Sequence, residues 1–236
     1  MRVVPDVAVQ PRATGPGSER YVRSYVTLRF AIGVLGLSLP FVLVLVEPIL
    51  FDGQPFPRGS LSAYYYSGMR ELFVGVLWAI GVFLVLYKLT EFSWESRLST
   101  VAGFAAVFVA LFPTGRPGDG VSPTPLQDLL GEATVERVHF FAAAVFIGSL
   151  APITYFFGRE EGKRPDRPGR RSGRFWRAYH WTCTGVIVAA AALALFAGIT
   201  GEPDKGLLIA EAVAVWGFAA SWLMKGAELD ILLGRS

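Results

Sequence analysis

Apolar runs at about 26–46, 70–87, 98–112, 138–157, 178–199 and 207–224 alternate with short polar or Pro/Gly-rich connections along this chain. Most approach the ~20 apolar residues that cross a bilayer as a helix, and the third is short. The pattern predicts an all-α, polytopic membrane bundle of six transmembrane helices forming one domain over residues 24–226. Pro40 falls inside the first run and is expected to kink it, and Pro152 falls inside the fourth. Residues 1–23 read as a disordered cytoplasmic arm, because Pro5, Pro11, Gly15, Pro16 and Gly17 interrupt regular structure. Residues 1–19 lack the apolar core of a signal peptide, so the first run is expected to remain as an anchor. Residues 113–120 break the helix before them, and the stretch through Asp128 reads as an exposed loop ahead of an amphipathic lead-in at 129–137. Residues 227–236 form a cytoplasmic tail in this reading.

Composition strengthens the membrane assignment. Of 236 residues 53% are hydrophobic and 17% charged, with mean hydropathy +0.45, too little polar surface to cover a soluble core of this size. The net charge of +3 does not imply nucleic acid, since the basic excess concentrates at 159–177 between two apolar runs. Basic loops stay on the cytoplasmic side. With the N-terminus inside, Arg2, Arg12, Arg20, Arg23, Arg29, Lys88, Arg97, the 159–177 cluster, Lys225 and Arg235 are cytoplasmic. Arg58, Arg70, Arg116, Arg137 and Lys205 are then outside, and both termini are inside. This describes a multi-pass protein of the cell membrane. Small residues spaced by four predict helix contacts at Gly75/Ala79, at Ala102/Ala106/Ala110 and along Gly185/Ala189/Leu193. The single cysteine, Cys183, excludes an intramolecular disulfide and a cysteine metal cluster.

Ionisable residues inside apolar runs are costly and therefore informative. Four converge on the outer side in this topology: Arg70 and Glu71 opening the second run, His139 in the fourth and Glu211 in the sixth. Glu211 needs a partner, and Arg70 or His139 is the expected one. A structural reading makes the cluster an ion-paired helix lock. A functional reading makes it an outward-facing pocket lined by Arg70, Glu71, His139, Glu211 and Tyr66, with Arg70 anchoring a phosphate or carboxylate. As an enzyme site it would need Ser62 or Ser67 as nucleophile within reach of His139, oriented by Glu211. Tyr64, Tyr65 and Tyr66 suit an interfacial aromatic belt, and Arg29 and Lys225 suit snorkelling. His180 belongs to the opposite end from His139, so the two histidines share no metal, and neither metal nor cofactor is expected.

The motifs Ser62-Ala-Tyr-Tyr-Tyr-Ser-Gly-Met-Arg-Glu-Leu-Phe-Val-Gly75, Val109-Ala-Leu-Phe-Pro-Thr114, Val138-His-Phe140, Glu211 and Ser221-Trp-Leu-Met-Lys-Gly226 carry a resemblance. They resemble those of uncharacterised bacterial six-helix integral membrane proteins, and more distantly the layout resembles the DRAM-like membrane proteins. The resemblance spans about 24–226 and implies a fold without an activity. Alkaline ceramidase and Per-like hydrolases would imply zinc, but the paired histidines of their last helix are missing here. The function expected is therefore a membrane protein that binds, and moves, a membrane lipid or small amphiphile. The alternatives are a membrane-embedded lipid hydrolase or acyl-group transferase, and a structural subunit without a site.

Overall fold

A computed structural model describes residues 16–51, 57–87, 93–163, 171–200 and 205–225, with side chains from residue 27 onward and, in the fourth stretch, up to residue 197. Their regular structure is helical throughout: α1 (Pro16–Leu50), α2 (Arg70–Leu86), α3 (Trp94–Leu111), α4 (Pro125–Leu130), α5 (Glu132–Glu161), α6 (Gly173–Thr200) and α7 (Gly206–Leu223), plus a 3₁₀ turn at Ser62–Tyr66. Helix starts follow from local chemistry. The Ser93 side chain accepts from the Ser96 N–H at the head of α3, and Thr124 and Gln127 form a reciprocal capping box with Pro125 at the first position of α4. Gly131, at φ 82, separates α4 from α5 in a backbone conformation that favours glycine.

The lead-in anticipated at 129–137 is therefore divided between two helices, and Thr124 and Gln127 of the supposed exposed loop are buried. The N-terminal arm is also shorter than expected, because α1 already begins at Pro16. Proline fits a first helical turn, where its missing N–H would lack a partner anyway. Residues 1–15, Lys88, residues 164–170 of the basic loop and the 227–236 tail lie outside the described residues.

Six long helices close into a ring, each packing on the next in the order α1, α2, α3, α5, α6, α7 and back to α1, with α5 also reaching α7. Close approach is possible where side chains vanish. A Cβ on Gly103 would lie 2.5 Å from the Gly81 carbonyl oxygen, so α2 and α3 meet backbone to backbone. Ala102, Ala106 and Ala110 are buried as anticipated. Gly75 instead faces open space, and the Gly185, Ala189 and Leu193 stripe points outward. The buried line of α6 runs through His180, Cys183, Ile187 and Ala190, where Gly217 of α7 comes close. α1 continues through Pro40. Pro40 lacks the N–H that would bond the Gly36 carbonyl, and at the next residue the Leu37 carbonyl receives a hydrogen bond from Trp216 Nε1 (3.0 Å).

Four helical segments are long and apolar enough to cross a membrane: Thr27–Leu50, Glu132–Glu161, Gly173–Ala197 and Gly206–Leu223. Exposure is inverted relative to a water-soluble domain. Phe141 is 72% exposed and Leu195 66%, whereas Arg29 is 4% exposed and Lys225 5%. Apolar side chains outside and paired charges inside suit hydrocarbon as solvent, so the fold points to a membrane protein.

Candidate functional site

Residues 57–67 form a cap over one end of the ring. The cap is fastened at its start by Arg58, whose Nε and Nη2 donate to Glu47 Oε1 at 2.8 and 2.7 Å, with both side chains buried. It is fastened to α7 through main-chain groups. The Leu208 N–H donates to the Gly59 carbonyl (3.0 Å), and the Leu61 N–H donates to Glu211 Oε2 at 2.6 Å. Glu211 is 9% exposed. A buried carboxylate without a cationic partner is costly, and main-chain donors aimed at it reduce that cost.

Beneath the cap lies an axial cavity of about 40 Å³, lined by Ser62 and Glu211 and by apolar residues of α1, α2, α3, α5 and α7, among them Leu39, Phe73, Val109 and Phe146. Its volume accommodates about one water. Ser62 and Glu211 are thus brought together.

The other residues singled out from the sequence do not line this cavity. His139 is buried, its Nδ1 2.7 Å from the Phe112 carbonyl oxygen. A carbonyl only accepts, so Nδ1 carries a hydrogen. Arg70 and Glu71 are exposed at the mouth rather than lining the interior. Arg70 donates to the Tyr65 hydroxyl (2.7 Å) and lies over its ring, and the expected pairing with Glu211 is not made. Its place is taken by the Leu61 N–H, a main-chain donor that no side-chain pattern reveals.

The three tyrosines are cap residues rather than an interfacial belt. Tyr64 and Tyr65 are buried, and Tyr66 donates to the Thr114 carbonyl (2.8 Å) while accepting from Gln127 Nε2 (2.8 Å). They lie inward because the cap folds over the ring, and burial raises the Tyr64 and Tyr66 hydroxyls above the usual tyrosine range. Ser67 is used in its own turn, donating to Tyr64 O and accepting from Met69 N–H. Among the described residues no serine hydroxyl is hydrogen-bonded to His139, so the relay needed for a serine nucleophile is not assembled.

The opposite end carries charges that sequence reasoning assigned to snorkelling. Arg29 donates to the Tyr87 hydroxyl (3.1 Å) and to the Trp222 carbonyl (3.3 Å), and its guanidinium lies 5.1–5.6 Å from the ring centroids of Trp222, Phe157 and Tyr87. Lys225 Nζ sits 4.0 Å from the Phe157 centroid and 3.4 Å from Glu95 Oε2. Both cations are buried because aromatic rings from three helices surround them. His180 belongs to this end, its Nδ1 2.8 Å from Ser221 Oγ. Tyr87, Phe157 and Trp222 could be recognised in advance only as aromatics near run ends. Among the described residues no three His, Cys, Asp or Glu side chains gather as a metal site requires.

No family model matches the chain, and neither a curated protein nor a solved structure does.

Proposed function

We propose that this is a multi-pass protein of the cell membrane that crosses the bilayer six times, with both termini in the cytoplasm. In this reading the capped end is an outward-facing site for a membrane lipid or small amphiphile. The six-helix ring supports the crossing number. α2 and α3 have 17 and 18 residues, or about 26 Å of helix each. α2 is one residue shorter than α7, and α3 equals α7 in length but opens with Glu95 and Arg97; both pack in sequence with the other members of the ring. The distribution of Lys and Arg supports the orientation, since among the described residues Arg58, Arg70, Arg116, Arg137 and Lys205 fall toward the capped end, while Arg29, Arg97, Arg159, Lys163, Arg171, Arg174, Arg177 and Lys225 fall toward the other.

The observation that carries the reading is the Glu211 carboxylate, buried in an apolar ring and held by the main chain of a short cap above an axial cavity. A bundle stabilised by polar contacts alone would place a side-chain partner there. With the cap down, the cavity takes only water. Admission of an amphiphile therefore requires residues 57–67 to lift from α7, breaking the Leu61–Glu211 and Leu208–Gly59 contacts. Arg70, exposed at the mouth, is placed to meet a phosphate or carboxylate head group, and Ser62 and Glu211 meet its polar neck.

A cysteine reporter tests this. In a Cys183→Ala background carrying Ser62→Cys, a membrane-impermeant maleimide should label the cap slowly. Labelling should accelerate when a single-chain amphiphile is added or when Glu211→Gln is introduced. If neither addition nor substitution changes the rate, the cap does not open for a ligand and the reading fails.

A further inference from the structure

A second cavity, about 510 Å³, runs along the outer surface of the seam between α3 and α5. It is separate from the capped cavity and lies on the lipid-facing side of the same helices. Its walls are apolar, with Phe104, Phe108 and Phe141 exposed along it and Ala105 and Ala142 forming its floor. The volume falls within the ~300–1,000 Å³ of small-molecule pockets. One charged residue, Arg137, closes the end nearest the cap.

Arg137 is exposed, and its Nε donates to the Ala133 carbonyl (2.9 Å), which folds the side chain back toward the start of α5 and the head-group region. Among the described residues it makes no ion pair. The neighbouring acids are otherwise placed: Glu132 is bound to Arg116 (2.8 Å) and Glu136 lies over Gly115. Positions one turn away are Ala133, Thr134, Phe140 and Phe141, none of them acidic. The Nη groups of Arg137 thus remain available to a ligand, directly above a chain-shaped apolar groove.

We propose that the α3–α5 groove binds an anionic phospholipid, with an acyl chain along the phenylalanines and the phosphate on the Arg137 guanidinium. Guanidinium and phosphate match in charge and in bidentate geometry, and the groove supplies the length of contact that a head group alone lacks. The proposal does not depend on cap opening or on Glu211.

The test uses the full-length protein in nanodiscs of equal phosphatidylglycerol and phosphatidylcholine, with the retained lipid identified by native mass spectrometry after gentle extraction. The wild type should retain phosphatidylglycerol in about fivefold preference, the scale of one basic residue acting on an anionic head group. Arg137→Gln should erase the preference, Arg137→Lys should keep most of it, and Val145→Trp, which fills the groove, should release both lipids. An unchanged preference in Arg137→Gln would overturn the proposal. So would undiminished lipid retention in Val145→Trp, or a lipid-free dimer that Val145→Trp dissociates, which would make the groove a contact between copies. Lys163→Ala, which removes only an exposed ion pair with Glu160, should leave lipid retention at the wild-type level. A cap that opens in the maleimide assay beside an unaltered Arg137→Gln lipid profile would sink this proposal alone.

Discussion

Near one end of α7, Glu211 is held by the main chain of the cap; just beyond the other end, Lys225 is held by the side chains of Tyr87, Glu95 and Phe157 from three other helices. The two charges are similarly buried but differ in what must move to release them. At the Lys225 end, the partners belong to the ring itself, Glu95 to α3, Phe157 to α5 and Tyr87 to the residue ending α2. At the Glu211 end, the partner belongs to the short segment joining α1 to α2, which is not one of the helices of the ring. A buried charge held by a loop can act as a latch, whereas one held by helices acts as a fastener.

The largest expected loss comes from Arg29→Ala, which empties the space between Tyr87, Phe157 and Trp222. It should cost about 3–5 kcal/mol in unfolding from mixed micelles, the range seen when one member of a buried charged set is deleted. A loss under about 1 kcal/mol would show that this end is no fastener. Arg58→Ala leaves the buried Glu47 carboxylate without its guanidinium and should cost about 3 kcal/mol. Its effect should be local, with faster amide exchange confined to residues around 57–67. Exchange rising equally around Arg29 would remove the distinction between the ends. Glu211→Gln keeps an oxygen able to accept from Leu61 but removes its charge, a change of about 1 kcal/mol. It should raise exchange at Leu61 and leave the unfolding midpoint nearly unmoved. The smallest effect belongs to Lys163→Ala, which deletes an exposed pair with Glu160 and should leave both ends unchanged in the same measurements.

Much of the helical layout was readable because apolar runs near twenty residues have few other uses. The starts capped by Ser93 and Thr124 were missed, because the first lies in a polar turn ahead of the third run and the second in a Pro/Gly-rich stretch read as loop. Glu211 was readable for a related reason, since a carboxylate within such a run demands a partner. Its partner was not readable, because the Leu61 N–H belongs to every residue type except proline and leaves no mark on the sequence. Arg29 and Lys225 were misread as snorkelling because position near a helix end does not say whether neighbouring helices extend as far. Here Tyr87, Phe157 and Trp222 do extend that far, all three around Arg29 and the first two also against Lys225. The small-residue stripes failed at Gly75 and Gly185 because four-residue spacing occurs on more than one face of a helix, and only packing selects among them.

Arg29 and Trp222 bond each other twice: Arg29 Nη2 donates to the Trp222 carbonyl, and Trp222 Nε1 donates to the Arg29 carbonyl (2.9 Å). A helix made earlier in synthesis is thereby completed by one made later. Until α7 is synthesised, α1 carries a cation whose main enclosure does not yet exist, and the nascent chain must shelter it by other means, within the insertion machinery or at the lipid surface. A product shortened before Gly206 would keep five long helices and still lack the closure of its ring, a form that membrane quality control should remove.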